Sequence, residues 1–299
     1  MGTSVAHLQK ILDRFRVTDG RKLRLADIDP ADTTGLDLAK DEAETILARD
    51  VKRLAELQAL LYAQDRWSLL CVLQAMDAGG KDGTIKHVMS GVNPQGVQVS
   101  SFKEPGQEEL SHGFLWRVMR KLPPRGQIGI FNRSHYEEVL VVRMHPDLLA
   151  AQRLPQAAHG ERFWQHRFED IAAFETHLAR QGTVVLKFFL HISRSEQKRR
   201  LLARLEDPHK TWKYRPTDLA ERRHWDGYMA AYEEAIAATA APHAPWFIVP
   251  ADHKWFAHLL VVAAMIESLE GLNLDYPKLT EAQRDLIAKA REQLATDPG

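Results

Sequence analysis

The sequence has little of what stabilises small secreted proteins or binds soft metals. Among 299 residues there is a single cysteine, Cys71, so the chain can form neither an internal disulfide nor a cysteine-based zinc site. Cys71 lies within the apolar run Leu69–Leu73, where we expect a buried structural thiol. The histidines are scattered without short metal-ligand spacing, which argues against a histidine-based metal site.

An excess of charge of one sign is also missing. The 40 basic and 40 acidic residues cancel, so no net charge draws the molecule to nucleic acid or to an anionic membrane, and we predict neither partner. The first 25 residues carry charges throughout and lack an apolar signal core. The apolar run Leu259–Ile266 is too short to span a bilayer. We therefore expect a cytoplasmic location.

Short apolar runs alternate with longer amphipathic stretches along the chain. Five runs are typical of strands, and the first is continuous enough for a parallel strand buried on both faces: Trp67–Met76, Val97–Phe102, Gln127–Phe131, Thr183–Ile192 and Trp246–Val249. Helical periodicity marks eight other segments: Asp41–Gln64, Lys81–Met89, Gln107–Arg120, Ser134–Arg143, Glu161–Arg180, Arg194–Leu205, Leu219–Ala238 and Lys254–Leu269. The alternation predicts an α/β fold, a doubly wound parallel sheet of five strands with helices on both faces.

Two regions depart from this alternation. Residues 1–40 are charged and weakly periodic, and we predict an N-terminal arm lying over the core, with residues 41–299 as one domain. Residues 206–226 are polar, lie between two helices and are predicted to form a lid. This segment is dense in cations, namely Lys210, Lys213, Arg215, Arg222 and Arg223.

The segment Ala75–Thr84 predicts a phosphate-binding loop. A strand ends there, small residues follow, and a helix begins, so backbone N–H groups and the helix dipole would face an oxyanion. We expect phosphate to bind at Gly79, Gly80, Lys81, Asp82, Gly83 and Thr84.

The loop departs twice from the P-loop pattern G-x-x-x-x-G-K-[ST], since Ala75 replaces the first glycine and Asp82 the hydroxyl residue. A divalent metal ion would then need another oxygen ligand, and Asp77 is the obvious one. The alternative is an ordinary glycine-rich turn in which Asp77 caps the helix.

A second motif, Ile130–Glu138, follows another predicted strand. Parallel strands bring their carboxyl ends to one crevice, so Arg133 could grip phosphoryl oxygens while Glu137 or Glu138 holds metal. The alternative is a capping box between Ser134 and Glu137, with Arg133 an ordinary surface cation.

Together these segments resemble polyphosphate kinase family 2, from about residue 47 to residue 272. The resemblance rests on five segments in order: Ala75–Ile85, Phe102–Pro105, Ile130–Leu140, Trp212–Pro216 and Arg222–Trp225. The residue after the loop lysine is itself informative, because this family typically has Asp or Gly there and a Thr two positions later.

The resemblance implies a P-loop kinase-like fold with a helical lid, assembled as a tetramer or dimer. It implies reversible transfer of a phosphoryl group between inorganic polyphosphate and AMP, ADP or ATP, with Mg²⁺ or Mn²⁺. Asp77, Lys81, Arg133 and Glu137 are the catalytic candidates, Asp77 and Glu137 the metal ligands, and Lys103 and Asn132 join the loop in nucleotide binding. The cations expected to bind polyphosphate are Lys81, Arg133, Arg194, Lys198, Lys213, Arg222 and Arg223.

Asn132 and the two glutamates that follow resemble the branches of the family that accept AMP, often together with ADP. Two other functions stay open at this point. An ATP-dependent nucleoside monophosphate kinase would share the fold and the loop, although the cation-rich lid argues against it. A non-catalytic nucleotide or polyphosphate sensor is disfavoured because Asp77, Lys81 and Arg133 occur together.

Overall fold

A computed structural model describes residues 5–155, 160–214 and 216–297, with the side chains of residues 5–9 and 213 not described. Within these residues six strands form one sheet: β1 (Arg16–Val17), β2 (Ser68–Gln74), β3 (Val97–Ser101), β4 (Ile128–Asn132), β5 (Thr183–His191) and β6 (Trp246–Pro250). The helices of the first half are α1 (Val5–Phe15), α2 (Lys40–Gln64), α3 (Lys81–Val88), α4 (Gln107–Leu110), α5 (Trp116–Met119), α6 (Glu137–Met144) and α7 (Pro146–Ala151). Those of the second half are α8 (Phe163–Arg180), α9 (Arg194–Glu206), α10 (Pro216–Arg223), α11 (Trp225–Thr239), α12 (Lys254–Glu270) and α13 (Glu281–Thr296).

The strand order is β1-β6-β5-β2-β4-β3, and all neighbours are parallel except β1 and β6. The predicted doubly wound parallel α/β sheet is confirmed, with one strand more than the five expected. The additional strand, β1, pairs two residues antiparallel with β6. Two residues are too few to carry an alternating pattern, which is why the sequence did not reveal it.

Helices cover both faces of the sheet, as predicted. On one face Cys71 lines a small cavity with Val88 of α3 and Val261 of α12. On the other face Lys187, one position along β5 from the partner of Cys71, reaches Glu175 of α8 and Thr239 of α11. Successive strand residues point to opposite faces, so both layers pack against the same apolar strands.

The most apolar helix, α12, lies inside the molecule. It packs against α1, α2 and the strands β5 and β6, and most of its residues are buried. In the described part of the chain, no helix has both the length and the apolar character that crossing a bilayer requires.

Two predicted helices are each divided in the structure. Within Gln107–Arg120, α4 ends where Ser111 bonds back to the Glu108 carbonyl, and α5 begins only at Trp116. Within Leu219–Ala238, a bond from the His224 N–H to the Glu221 carbonyl closes α10 before α11 begins. Local side-chain and i to i+3 bonds of this kind compete with the helical ladder without changing the apolar period.

Candidate active site

The centre of the sheet places the two sequence motifs side by side. Strand β2 lies between β4 and β5, with Leu73 opposite Asn132 on one side and Gln74 opposite Phe189 on the other. The phosphate loop follows β2, the second motif follows β4, and α9 follows β5. Ligands of open parallel sheets bind at this edge, where the carboxyl ends of the strands meet.

The backbone of the phosphate loop adopts a conformation that small residues permit. Ala78 and Gly80 have positive φ angles of 60° and 106°. A Cβ atom on Gly79 would lie 2.5 Å from the Cβ of Ala75 and 2.8 Å from the Met76 carbonyl oxygen. Glycine at position 79 therefore leaves room for the methyl group of Ala75, which stands where the usual pattern has its first glycine.

Lys81 begins α3, and its side chain folds back under the loop. Its Nζ atom donates to the carbonyl of Ala75 at 2.7 Å and lies 3.4 Å from that of Met76. Burial and, to a smaller extent, the charge of Arg133 lower the pKa of Lys81 to about 8, against the opposing effect of nearby carboxylates. The ammonium group thus lies at a helix N-terminus, held by two backbone carbonyls of the loop.

Arg133 bridges the two motifs. Its Nη2 atom donates to Asp77 Oδ1 at 2.9 Å, and its Nη1 atom donates to Glu137 Oε2 at 3.0 Å. The carboxylate of Glu137 raises the pKa of Arg133, burial opposes this, and Asp77 adds to the increase. Arg133 also has a positive φ of 64°, an uncommon conformation for a residue with a side chain.

These contacts argue against the two capping alternatives. Helix α3 has Gly80 at its N-cap without a side-chain cap, so Asp77 does not cap it. Helix α6 has Tyr136 at its N-cap, and Ser134 accepts from the Tyr136 N–H instead of closing a capping box. Asp77, Arg133 and Glu137 form one ion-paired group.

Other predicted nucleotide-binding residues lie along the same edge. Asn132 Nδ2 donates to Asp82 Oδ1 at 2.7 Å, which joins the loop helix to the second motif. Phe102 donates from its N–H to the Asn132 carbonyl at 3.1 Å, and this places the exposed Lys103 beside them. Gly83 faces open space, and the Thr84 hydroxyl group is buried in the first turns of α3.

Helix α9 supports the loop with residues that the sequence did not single out. Arg200 donates from Nη1 to the carbonyls of Ala78 at 3.2 Å and Gly79 at 3.1 Å, and Gln197 donates to the Asp77 carbonyl at 3.0 Å. Both side chains are buried. Their i, i+3 spacing on the helix after β5 was the available signal, but it was hidden among several exposed arginines and lysines.

A buried polar network lies beneath the second motif. The fully buried Lys187 pairs with Glu175 at 2.5 Å, and Glu175 also accepts from the Tyr136 hydroxyl at 2.8 Å and lies 3.3 Å from His135. Burial alone would raise the pKa of Glu175, but Lys187 and His135 hold it below its usual value. The network fixes the positions of His135 and Tyr136, which follow Arg133 and Ser134 in the second motif.

The predicted polyphosphate-binding cations have different surroundings. Arg222 donates to the Arg194 carbonyl at 2.8 Å and to the Gln197 side chain at 2.7 Å, which joins α10 to α9. Arg194, Lys198 and Arg223 are exposed. The side chain of Lys213 and all of Arg215 lie outside the described residues.

The donor set around Arg133 fits a metal ion shared with a substrate. In the described part of the chain, no group of three or more His, Cys, Asp or Glu side chains forms a metal site. Mg²⁺, however, is usually held by one or two carboxylates together with substrate phosphates and water. Asp77 and Glu137 supply two carboxylates at the mouth of a phosphate loop.

Comparison with known proteins agrees with this geometry. The sequence model of the family described as "Polyphosphate kinase 2 (PPK2)" matches residues 37–277. The chain belongs to the polyphosphate kinase 2 family. Kinases of this family generally depend on a divalent metal ion.

Three relatives place the chain within that family. It is 47% identical to an ADP-polyphosphate phosphotransferase of Rhodopseudomonas palustris, over 94% of this chain and 97% of the relative. It is 46% identical to an AMP/ADP-polyphosphate phosphotransferase of Meiothermus ruber, over 92% and 99%. The crystal structure of Polyphosphate Kinase 2 from Arthrobacter aurescens TC1 superposes with a TM-score of 0.82 at 41% identity, over 94% of this chain and 96% of the other.

Proposed function

We propose that this enzyme reversibly transfers the terminal phosphoryl group of inorganic polyphosphate to AMP and ADP. The observation that carries the proposal is the joining of Asp77, Arg133 and Glu137 beside Lys81 at the N-terminus of α3. Membership of the polyphosphate kinase 2 family supports it, because the similar proteins are named as phosphotransferases of this kind.

Phosphoryl transfer requires two anionic substrates held in line and little covalent chemistry from the protein. Lys81 would exchange its carbonyl partners for phosphate oxygens, and the first N–H groups of α3 would face the same anion. Arg133 has a planar fork of donors that suits the oxygens of the transferring group. Glu137 and the buried network below it keep that fork directed at the loop.

Asp77 and Glu137 would hold Mg²⁺ or Mn²⁺ together with substrate oxygens, and the ion would neutralise phosphate charge during transfer. Asp77 is anchored for this through its backbone, since its carbonyl accepts from Gln197 while its carboxylate faces Arg133. Arg200 fixes the next two carbonyls of the loop. The loop backbone is therefore held from the β5 side, and the side chain of Asp77 is directed to the β4 side.

Polyphosphate has no base or ring, so only charge and oxygen geometry can recognise it. We assign its binding to seven cations: Lys81, Arg133, Arg194, Lys198, Lys213, Arg222 and Arg223. The last three belong to residues 206–226, which we propose as the lid. Arg222 belongs to the same group of cations, and it also joins the lid to α9.

For the acceptor we propose AMP as well as ADP. The neutral Asn132 and the similarity to the Meiothermus ruber enzyme named for both acceptors support this. The nearly equal similarity to a relative named for ADP alone leaves the choice to experiment. We also propose a homo-oligomeric assembly, a tetramer or dimer, in the cytoplasm.

One assay separates the proposed activity from its alternatives. Purified protein is incubated with ADP, Mg²⁺ and polyphosphate as the only donor, and ATP is measured over time. We expect ATP to accumulate. Formation of ATP and AMP from ADP in the absence of polyphosphate would identify a nucleoside monophosphate kinase, because such an enzyme converts two ADP into ATP and AMP, and binding without turnover would identify a sensor.

A further inference from the structure

The C-terminal helix α13 lies outside the segment that matches the kinase family. The match ends at residue 277, and α13 spans Glu281–Thr296. Every residue from 275 to 297 is exposed, including Leu286 at 66% and Leu294 at 72%. The kinase core of this chain therefore does not cover the helix.

One side of α13 carries an apolar stripe. Ala282, Leu286, Ala290 and Leu294 recur every four residues, and Ile287 lies beside them. The helix is well capped by Thr280 and Gln283, yet an isolated helix of this length is only marginally stable in water. Most helices gain their stability by packing an apolar face, so we expect this stripe to pack against another surface.

The charges of α13 indicate what kind of partner fits. Its basic residues Arg284, Lys289 and Arg291 are balanced by the acidic residues Glu281, Asp285 and Glu292. A helix that lies on a membrane has a polar face rich in lysine and arginine, and α13 does not. A balanced helix is instead complementary to a copy of itself.

Antiparallel pairing of two α13 helices would cover the apolar stripe and also bring opposite charges together. The alternation of small and large residues along the stripe places Leu286 opposite Ala290 of the second helix, and Leu294 opposite Ala282. Asp285 and Lys289 lie on the same flank of the stripe, at positions that face each other when two helices run in opposite directions. Each Asp285 would then meet the Lys289 of the other copy, as a two-fold interface requires.

We propose that α13 is a self-association helix that pairs antiparallel with α13 of a second copy of this chain. The pair would be about 24 Å long. Such a contact is smaller than the ~1,200 Å² of typical stable interfaces, so association should depend on protein concentration.

The first test changes the stripe in the full chain. Leu286→Glu with Leu294→Glu should at least halve the mass measured by light scattering across a concentration series. Ala288→Glu with Ala295→Glu adds the same charge to the opposite side of the same helix and should leave the mass unchanged. Circular dichroism confirms that both variants are folded, independently of any catalytic assay. A monomeric parent chain, or a stripe variant with the mass of the parent, would overturn the proposal.

The second test addresses orientation. Asp285→Lys and Lys289→Asp should each weaken association, and the double variant should restore it, because both pairs then have opposite charges again. Failure of the double variant to recover would reject antiparallel pairing. Because the sole native cysteine, Cys71, is fully buried, the same geometry can be checked by crosslinking. Mixed Asp285→Cys and Lys289→Cys chains should form a disulfide-linked dimer faster than either variant alone, and equal rates would count against it.

Discussion

The side-chain amide of Asn132, at the end of β4, donates to the carboxylate of Asp82, which directly follows the loop lysine, at 2.7 Å. The two residues come from the two separate motifs, and both sit at the carboxyl edge of the sheet. A carboxylate accepts hydrogen bonds and cannot donate one when ionised, so the amide of Asn132 can pair with Asp82 whereas an ionised aspartate at position 132 could not. Asp82, which replaces the usual hydroxyl residue of the loop, and Asn132 are therefore structurally linked.

Asn132→Asp should reduce the use of AMP more than the use of ADP. The new carboxylate would face Asp82 and repel an acceptor phosphate that the neutral amide can bind, and we expect a roughly tenfold greater loss of kcat/KM for AMP. The measurement is a time course with polyphosphate and either AMP or ADP, and the parent enzyme should carry AMP to ADP and onward to ATP. Contaminating adenylate kinase is excluded with an Asp77→Asn preparation purified in the same way.

The double variant Asn132→Asp with Asp82→Asn restores a donor–acceptor pair. It therefore separates the loss of that hydrogen bond from the effect of a negative charge near the acceptor. An equal loss for both acceptors in the single variant would contradict the assignment.

Asp77→Asn should lose most turnover and require a much higher concentration of Mg²⁺ or Mn²⁺. Asparagine keeps the size of the side chain but removes the charge that would bind metal and that pairs with Arg133. Since Asp77 does not cap α3, loss of a helix cap cannot account for such a change. The measurement is a metal titration at saturating substrates. A titration curve unchanged from the parent would remove Asp77 from the metal site.

Lys81→Ala should lower kcat/KM by at least about a hundredfold, about 3 kcal/mol, while the protein stays folded. The pKa of Lys81 in the free enzyme is about 8, so the protonated amine is present below that pH and is lost as pH rises through it. We therefore expect kcat/KM to fall above pH 8 in the parent enzyme. The fall in kcat should come at higher pH, because bound phosphate favours the charged amine. Lys81→Arg, which stays charged, should be slower but should not show the alkaline fall, and a fall that persists in this variant would assign it to another group.

The sequence was sufficient to locate the main parts of the candidate site. Asp77, Lys81 and Arg133 could be placed together because phosphate loops and strand ends follow short local patterns with a known position on a parallel sheet. The pairing of Asn132 with Asp82 could not be predicted, since it depends on the register between β2 and β4. The supporting role of Arg200 was missed for a related reason. Its contacts with the loop are to backbone carbonyls, which leave no complementary residue in the sequence to suggest them.

Arg223→Ala should raise the polyphosphate concentration needed for half-maximal rate more than it raises the nucleotide requirement. Arg223 is exposed on the proposed lid, where an anionic chain is held mainly by charge. Arg222→Ala is the matched comparison, because Arg222 joins the lid to Gln197 and should affect both substrates. Added salt should weaken polyphosphate binding in the parent as well, since exposed charges are screened over about 8–10 Å. Equal effects of Arg223→Ala on both substrates would mean that it supports the lid only.

Glu175→Gln should be strongly destabilising even though residue 175 lies away from the substrates. Removing one partner of a buried ion pair leaves Lys187 charged or unsatisfied in the core, which typically costs about 3–5 kcal/mol. Urea unfolding of the parent and the variant measures this cost. Glu169→Gln on the same helix is the matched control, because its ion pair with Arg162 is exposed and its loss should change the free energy of unfolding by less than about 1 kcal/mol. Replacing both buried partners, as in Glu175→Leu with Lys187→Met, should recover much of the stability.

Measuring catalysis in the same double variant distinguishes a packing role of the network from a positioning role. If the network directs Arg133 through His135 and Tyr136, the double variant should regain stability but not kcat. Recovery of both would assign the network to stability alone.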